Sequence, residues 1–164
     1  MLTYKGYAGQ ILRVNLTKKE ITKQPLNAEL ARSYVGGSGF AAKILFDELR
    51  PGTDPFSPEN KIVIATGPLT GTMWPSSGRC MFATKSPLTN VWAESHCGGF
   101  LGPEIRYAGY DAIVLEGGAG EPLYLGIEDE DVRLRDADHL WGKDTHEATK
   151  IIQDDLGDDQ TVVA

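Results

Sequence analysis

The chain has 164 residues, with 16 Lys and Arg against 23 Asp and Glu and a formal net charge of −7. That length suits one domain that buries ~68–70% of its unfolded surface, and the acidic balance, concentrated after Glu116, argues against wholesale binding to nucleic acid or an anionic membrane. The opening MLTYKGYAG lacks a signal-length apolar run and no segment approaches the ~20 apolar residues of a membrane span, so a soluble cytoplasmic protein is expected.

In chain order, Gly9 to Leu16 reads as a strand, with Lys19 to Gln24 as its hairpin partner. Asn27 is placed to cap a short helix from Ala28 to about Tyr34, which Gly36-Gly37 ends. A second helix from Phe40 to Leu49 carries Ala41, Ile44, Leu45 and Leu49 at helical spacing, and Pro51 stops it. Between these helices, Gly36-Gly37-Ser38-Gly39 reads either as a plain turn or as helix-end amides open to a phosphate. After a loop from Pro51 to Pro58, the β-branched run Ile62 to Thr66 predicts a buried strand.

Gly67 to Gly102 is the richest stretch for chemistry. It holds both cysteines, two of the three tryptophans and one of the three histidines. Its Gly-Pro, Thr-Gly, Ser-Gly and Gly-Gly steps mark turns where ligands can approach bare backbone. Two short apolar runs, Cys80 to Ala83 and Val91 to Ala93, predict a strand pair whose loops gather at one end. Arg79 and Lys85 supply the cations, and Ser76, Ser77, Thr84, Ser86 and Thr89 the hydroxyls, of a surface suited to an anionic, hydrogen-bonding ligand. Cys80 and Cys97 are too distant for a CxxC motif and too few for a disulfide framework or a four-thiolate site, and free cysteines tend to be buried.

Beyond this stretch, Pro103 opens a short helix to Ala108. Ala112 to Glu116 follows as a strand, and Leu123 to Ile127 and Val132 to Arg135 form a hairpin across an acidic turn. Asp144 and Glu147 make a capping box for a helix with Ala148, Ile151, Ile152 and Leu156 on one face. Thr161 to Ala164 reads as the start of one more strand, so the chain is expected to be a fragment of something longer.

GPLTGT, SSGR, TKSPLT, the loop ending in Gly98-Gly99-Phe100 and GPEIRYAGYDAIVLEG resemble the N-terminal domain of the aldehyde:ferredoxin oxidoreductases. GQILRVNL, YVGGSGFAAKILFDEL, DPFSPENKIVIATGPLTG and RDADHLWGKDT extend the resemblance over nearly the whole chain. It implies an α+β fold with mixed or antiparallel sheets and a few helices, spanning residues 1–164 as one cofactor-binding domain. The cofactor implied is a bispterin holding tungsten, or less often molybdenum, with magnesium bridging the pterin phosphates. Arg79 matches a pterin-contacting arginine, and the His96 backbone carbonyl matches a magnesium ligand, a role indifferent to the side chain because magnesium meets only the hard oxygen. Ser95, Cys97, Gly98 and Gly99 are expected to line the cofactor. Relatives often carry Arg where this chain has Ser38, so no arginine contact is carried over there.

By the same resemblance, the parent enzyme oxidises an aldehyde to a carboxylic acid and passes electrons through a 4Fe-4S cluster to ferredoxin, with a homodimer possible. The cluster needs several thiolates, so its ligands lie outside this chain and the isolated chain is expected to be inactive. Glu94 and Glu104 are the weak candidates for proton transfer. The alternatives are an aromatic acyl-CoA ring reductase subunit of the same family, or a non-redox phosphate- or nucleotide-binding module. The last lacks support from a P-loop or a GxGxxG after a strand.

Overall fold

The computed structural model describes residues 5–164. Its centre is a six-stranded mixed sheet in the order β2-β1-β6-β3-β4-β5. The strands are β1 (Gln10–Asn15), β2 (Glu20–Pro25), β3 (Lys61–Thr66), β4 (Cys80–Lys85), β5 (Trp92–Cys97) and β6 (Ala112–Glu116). Only β1 and β6 pair in parallel, with Ile11 opposite Ala112, and the other pairs in this sheet are antiparallel. A separate antiparallel hairpin joins β7 (Leu123–Glu128) to β8 (Asp131–Asp136). The class is α+β, as expected.

Both faces of the sheet are covered, which is why Ile11, Leu12 and Val14 are all buried although neighbours point to opposite faces. On one face α1 (Ala28–Tyr34) and α2 (Ser38–Glu48) bury Ala31, Phe40, Ala41, Ile44 and Leu45 against Ile11, Val63, Met81 and Val114. On the other, α3 (Leu101–Tyr107) and the β7–β8 hairpin cover Leu12, Val14 and Ile113, with Leu125, Ile127 and Val132 packed on them. Each large apolar side chain sealed this way contributes ~1.5–3 kcal/mol.

Local chemistry sets the helix ends. The Asn27 side chain accepts from Glu29 N–H at 2.8 Å, and Asp144 from His146 and Glu147 N–H at 2.8 and 2.9 Å, opening α4 (Thr145–Leu156). Gly157 closes α4 in the left-handed conformation. α1 ends differently, on Val35 at φ 64°, an unusual conformation for a β-branched residue.

Four expectations change. Helix α2 begins at Ser38 rather than Phe40, and α3 at Leu101 rather than Pro103, which sits in a first turn where its missing N–H costs nothing. Strand β5 runs on to Cys97 rather than stopping at Ala93, because β4 offers a full ladder to a segment whose polarity alone argued for loop. Thr161 to Ala164 forms no strand among the described residues, and the Thr161 carbonyl instead accepts from the Gln153 amide at 3.0 Å.

Candidate functional site: the glycine-rich end of the sheet

Antiparallel pairing of β3, β4 and β5 brings Thr66, Cys80 and Cys97 to one end of the sheet. The loop from Gly67 to Arg79 and the turn from Gly98 to Gly102 therefore meet there. Thr70 ties the first loop, its hydroxyl accepting from Gly67 N–H and donating to the Arg79 carbonyl, both at 3.0 Å. Gly71 N–H bonds the Ser77 carbonyl at 3.0 Å, and the Tyr107 hydroxyl donates to the Gly71 carbonyl at 2.8 Å, anchoring the loop to α3.

Glycine is needed where these loops touch. A Cβ on Gly78 would lie 2.8 Å from the Gly99 carbonyl oxygen, and one on Gly102 would lie 3.0–3.1 Å from Thr70, Arg79 and Gly78 atoms. Gly98 and Gly99 differ, since nothing lies within 4 Å of a Cβ on either. The two turns are thus backbone against backbone on one side and open on the other, which is the shape a flat ligand needs.

The ladder also decides which polar groups are spent. Ser86 N–H donates to the Val91 carbonyl at 2.7 Å, so hydrogen-bonded pairs recur at Thr84/Ala93, Phe82/Ser95 and Cys80/Cys97. The backbone groups of Glu94 and His96 therefore point off the outer edge of β5, the last strand of the sheet. The His96 carbonyl is consequently available to a hard cation or a donor.

Alternation separates the side chains that sequence grouped together. His96 pairs with Met81 and Glu94 with Ala83, on the α1–α2 face, whereas Ser95 pairs with Phe82 and Cys97 with Cys80, on the α3 face. Ser95 and His96 thus cannot offer their side chains to one face of a ligand, and what the segment shares is backbone.

Arg79 is exposed just before β4. Arg13, Arg106, Arg133 and Arg135 are held by carboxylates, while Arg79 forms no ion pair among the described residues. Its charge is available to an anionic ligand. Lys85, by contrast, lies at the other end of β4 and donates to the Thr53 carbonyl at 2.5 Å. It is structural.

Two amides at the start of α2 are already bonded. Gly37 N–H bonds the Thr66 carbonyl at 2.9 Å and Gly39 N–H the Gly36 carbonyl at 3.0 Å. The Ser38 hydroxyl, followed by His96 and the Trp92 indole, holds the Glu94 carboxyl below the usual carboxylate range. Glu94 is therefore a poor proton donor at neutral pH. Trp74 and Trp92 are exposed. His139 meets Asp155 at 3.1 Å, far along the chain from these loops.

Asp111 is the residue that sequence reading missed. Buried to 1% exposure, its carboxylate accepts from Ala8 N–H at 3.0 Å and Gly9 N–H at 2.6 Å, and pairs with Arg106. Its backbone carbonyl takes both the N–H and the hydroxyl of Thr66, at 3.0 and 2.9 Å. It pins the end of β3, from which the Gly67–Arg79 loop leaves, to the start of β1. The one available signal was an acid directly before the wholly apolar run Ala112 to Leu115.

Known proteins share this fold. The family profile described as "Aldehyde ferredoxin oxidoreductase, N-terminal domain" matches residues 11–164. The chain belongs to the aldehyde ferredoxin oxidoreductase family.

A tungsten-containing aldehyde ferredoxin oxidoreductase of Pyrococcus abyssi is 48% identical over 159 residues, 97% of this chain and 26% of the relative. An aliphatic sulfonate oxidoreductase, WOR-like subunit, of Pyrococcus furiosus is 36% identical over 84% of this chain and 22% of the relative. Among solved structures, the active site complex BamBC of benzoyl coenzyme A reductase with 1,5-dienoyl-CoA superposes with a TM-score of 0.93 at 40% identity, over 95% of this chain and 24% of the other. The chain spans about a quarter of the length of such relatives. Within the aldehyde ferredoxin oxidoreductase family, the shared N-terminal fold thus occurs in proteins named for different substrates. No helix among the described residues is long and apolar enough to cross a membrane.

Proposed function

We propose that this chain is the pterin-binding platform of a tungsten oxidoreductase that oxidises aldehydes to carboxylic acids. The observation that carries the reading is the conjunction at the glycine-rich end: open backbone at Gly98 and Gly99, an uncommitted Arg79, and the His96 carbonyl on a free strand edge. These groups fit a flat, phosphate-bearing cofactor. Arg79 would hold phosphate or pterin oxygens through paired hydrogen bonds. The His96 carbonyl would serve a magnesium ion that the phosphates share, and Gly98 and Gly99 would let the ring system lie on bare backbone, beside Ser95 and Cys97.

The tungsten bispterin, when bound, supplies the redox chemistry. This chain supplies position and charge. The carboxylate beside the platform, Glu94, is held ionised by Ser38, His96 and Trp92 and so is not set up to donate a proton. The acid and base of the reaction, and the thiolates of a 4Fe-4S cluster leading to ferredoxin, would come from outside these residues, because Cys80 and Cys97 alone are too few.

A second reading, an aromatic acyl-CoA ring reductase subunit, is favoured by the 0.93 TM-score to the benzoyl coenzyme A reductase complex. The platform serves either reading equally. Aldehyde-dependent dye reduction against acyl-CoA-dependent turnover, with protein prepared without oxygen, separates the two.

The platform itself is tested by Arg79→Ala in the intact enzyme. Tungsten and pterin content should fall several-fold while the circular dichroism spectrum and melting temperature stay unchanged, as expected for an exposed side chain with no ion pair among the described residues. Full metal occupancy with wild-type turnover would remove Arg79 from the site.

A further inference from the structure

Cys80 and Cys97 stand 17 residues apart in sequence and directly opposite each other on β4 and β5. Both are reduced, Cys80 buried and Cys97 half-buried. Directly opposed residues share a face, so both thiols lie on the α3 side of the sheet. They occupy a hydrogen-bonded position of the ladder, where Cα atoms stand about 5.5 Å apart, within the ~4.4–6.8 Å that a disulfide spans. The Cβ atoms of such a pair are wider than the ~3.8 Å that a disulfide prefers. Closing the bond therefore draws the strands together at their ends, and the bond formed is of the more easily reduced kind.

We infer that Cys80 and Cys97 form a reversible cross-strand disulfide, a thiol–disulfide switch at the root of the Gly98-Gly99 turn. The inference rests on the β4–β5 register and holds whether or not the loops carry a pterin.

The two thiols have different parts. Cys97 is the accessible one, and its Sγ donates only a weak bond to the Gly98 carbonyl at 3.3 Å. Its thiolate attacks a low-molecular-weight disulfide, forming a mixed disulfide and releasing one thiolate. The Cys80 sulfur, after losing its proton to solvent, attacks the Cys97 sulfur, which breaks the mixed bond and expels the second thiolate. The net reaction oxidises two cysteine thiols and reduces one disulfide to two thiols, so electrons and protons balance. Burial first, and the nearby Cys97 second, push the Cys80 thiol up to about 11. Cys80 is therefore the slow resolving partner and Cys97 the entry point.

Closure has a local consequence. Residue 97 becomes tied to the residue after Arg79, so the Gly98 turn loses its freedom to move apart from the Gly78–Arg79 backbone. The loops of the platform are locked in one spacing.

The test uses the full chain, purified without oxygen and exposed to oxidised glutathione, then blocked and mapped by mass spectrometry without reduction. A peptide pair joined through Cys80 and Cys97 and lacking two hydrogen atoms should form and should disappear with dithiothreitol. Its formation from the Cys97 mixed disulfide should accelerate about tenfold per pH unit between pH 7 and 9, following the thiolate fraction of a group titrating near 11. Cys80→Ser should stop at the glutathione adduct on Cys97, and Cys97→Ser should leave Cys80 unmodified at pH 7. A Cys97 adduct that persists at pH 9 beside a free Cys80, a Cys97–Cys97 crosslink between chains as the sole product, or first modification at Cys80 would each overturn the inference. Because the readout is covalent connectivity and not metal content, it can fail while the platform reading survives, and the reverse.

Discussion

The two ends of the central sheet handle polar groups in opposite ways. At the end marked by Lys61 and Glu116, charges consume one another. Arg13 donates to Glu48 at 2.9 Å and 2.5 Å, Lys61 lies 3.4 Å from Glu48 and pairs with Glu116, and the Asn15 amide donates to Glu116 at 3.0 Å. At the glycine end, Asp111 and Thr70 secure the backbone, while Arg79 and the outer edge of β5 stay uncommitted. One end is a closed network whose value is stability. The other spends its hydrogen bonds on holding loops and leaves Arg79 without an ion pair among the described residues, which is the contrast between a scaffold and a candidate site on a single sheet.

Breaking the anchor of the glycine end should give the largest effect. Asp111→Ala strips the acceptor from two backbone N–H groups and leaves the Arg106 guanidinium, largely buried, without its counter-ion. Such a loss costs about 3–5 kcal/mol, to be read as a lowered urea midpoint. An unchanged midpoint would mean that Arg106 and the two amides find other partners.

Two glycines at that same end sharpen the contrast between holding and offering. Gly102→Val forces atoms into Thr70, Gly78 and Arg79 and should cost about 1–3 kcal/mol. Gly98→Val enters open space, so stability should change by less than about 0.5 kcal/mol while cofactor content in the intact enzyme collapses. Equal melting losses in the two variants would erase the distinction drawn between them.

The charged end should respond to acid instead. Burial works against ionisation of Glu48, but the Arg13 hydrogen bonds and the charges of Arg13 and Lys61 outweigh it and hold its carboxyl below the usual range. Glu116 is lowered first by Lys61. A lowered folded-state value means stabilisation that is complete above the ordinary carboxylate pKa of 4.5 and drains away as pH falls through the folded-state values. Glu48→Gln should cost about 1–2 kcal/mol at pH 7 and flatten the loss of stability below pH 4.5. A variant as acid-sensitive as the parent would shift that role to other carboxylates. Smallest of all, Lys150→Ala removes an exposed contact with Asp154 on α4 and should leave the urea midpoint unchanged within measurement error.

Local signals were legible in the sequence and long-range ones were not. Asn27 and Asp144 mark helix ends because capping is chemistry between near neighbours, and Ile62 to Thr66 reads as a strand because it is apolar and β-branched, although Ile62 itself is exposed. The polar segment from Glu94 to Cys97 hides its strand, since an edge needs no burial to be paired and its partner lies across a hairpin. Thr161 to Ala164 shows the converse, a β-branched run without a ladder to join. For the candidate site, Arg79, His96, Gly98 and Gly99 are named from motif resemblance. That Ser95 and His96 face opposite sides, that Cys80 meets Cys97, and that Asp111 holds the root of the Gly67–Arg79 loop all depend on register, which no single segment encodes.

Strand β6 sits between β1 and β3 although it is made after all the other strands of that sheet. Without it, β1–β2 and β3–β4–β5 would be two sheets, each with one edge unpaired, bridged only by the α1–α2 layer that packs on both. Ala112 to Glu116 is thus the keystone that converts two separate sheets into one, and it closes both edges in a single late step. During synthesis the exposed rims of β1 and β3 are therefore open to pairing with other nascent chains. The hazard ends with five residues, and a pause in translation just before them would lengthen it.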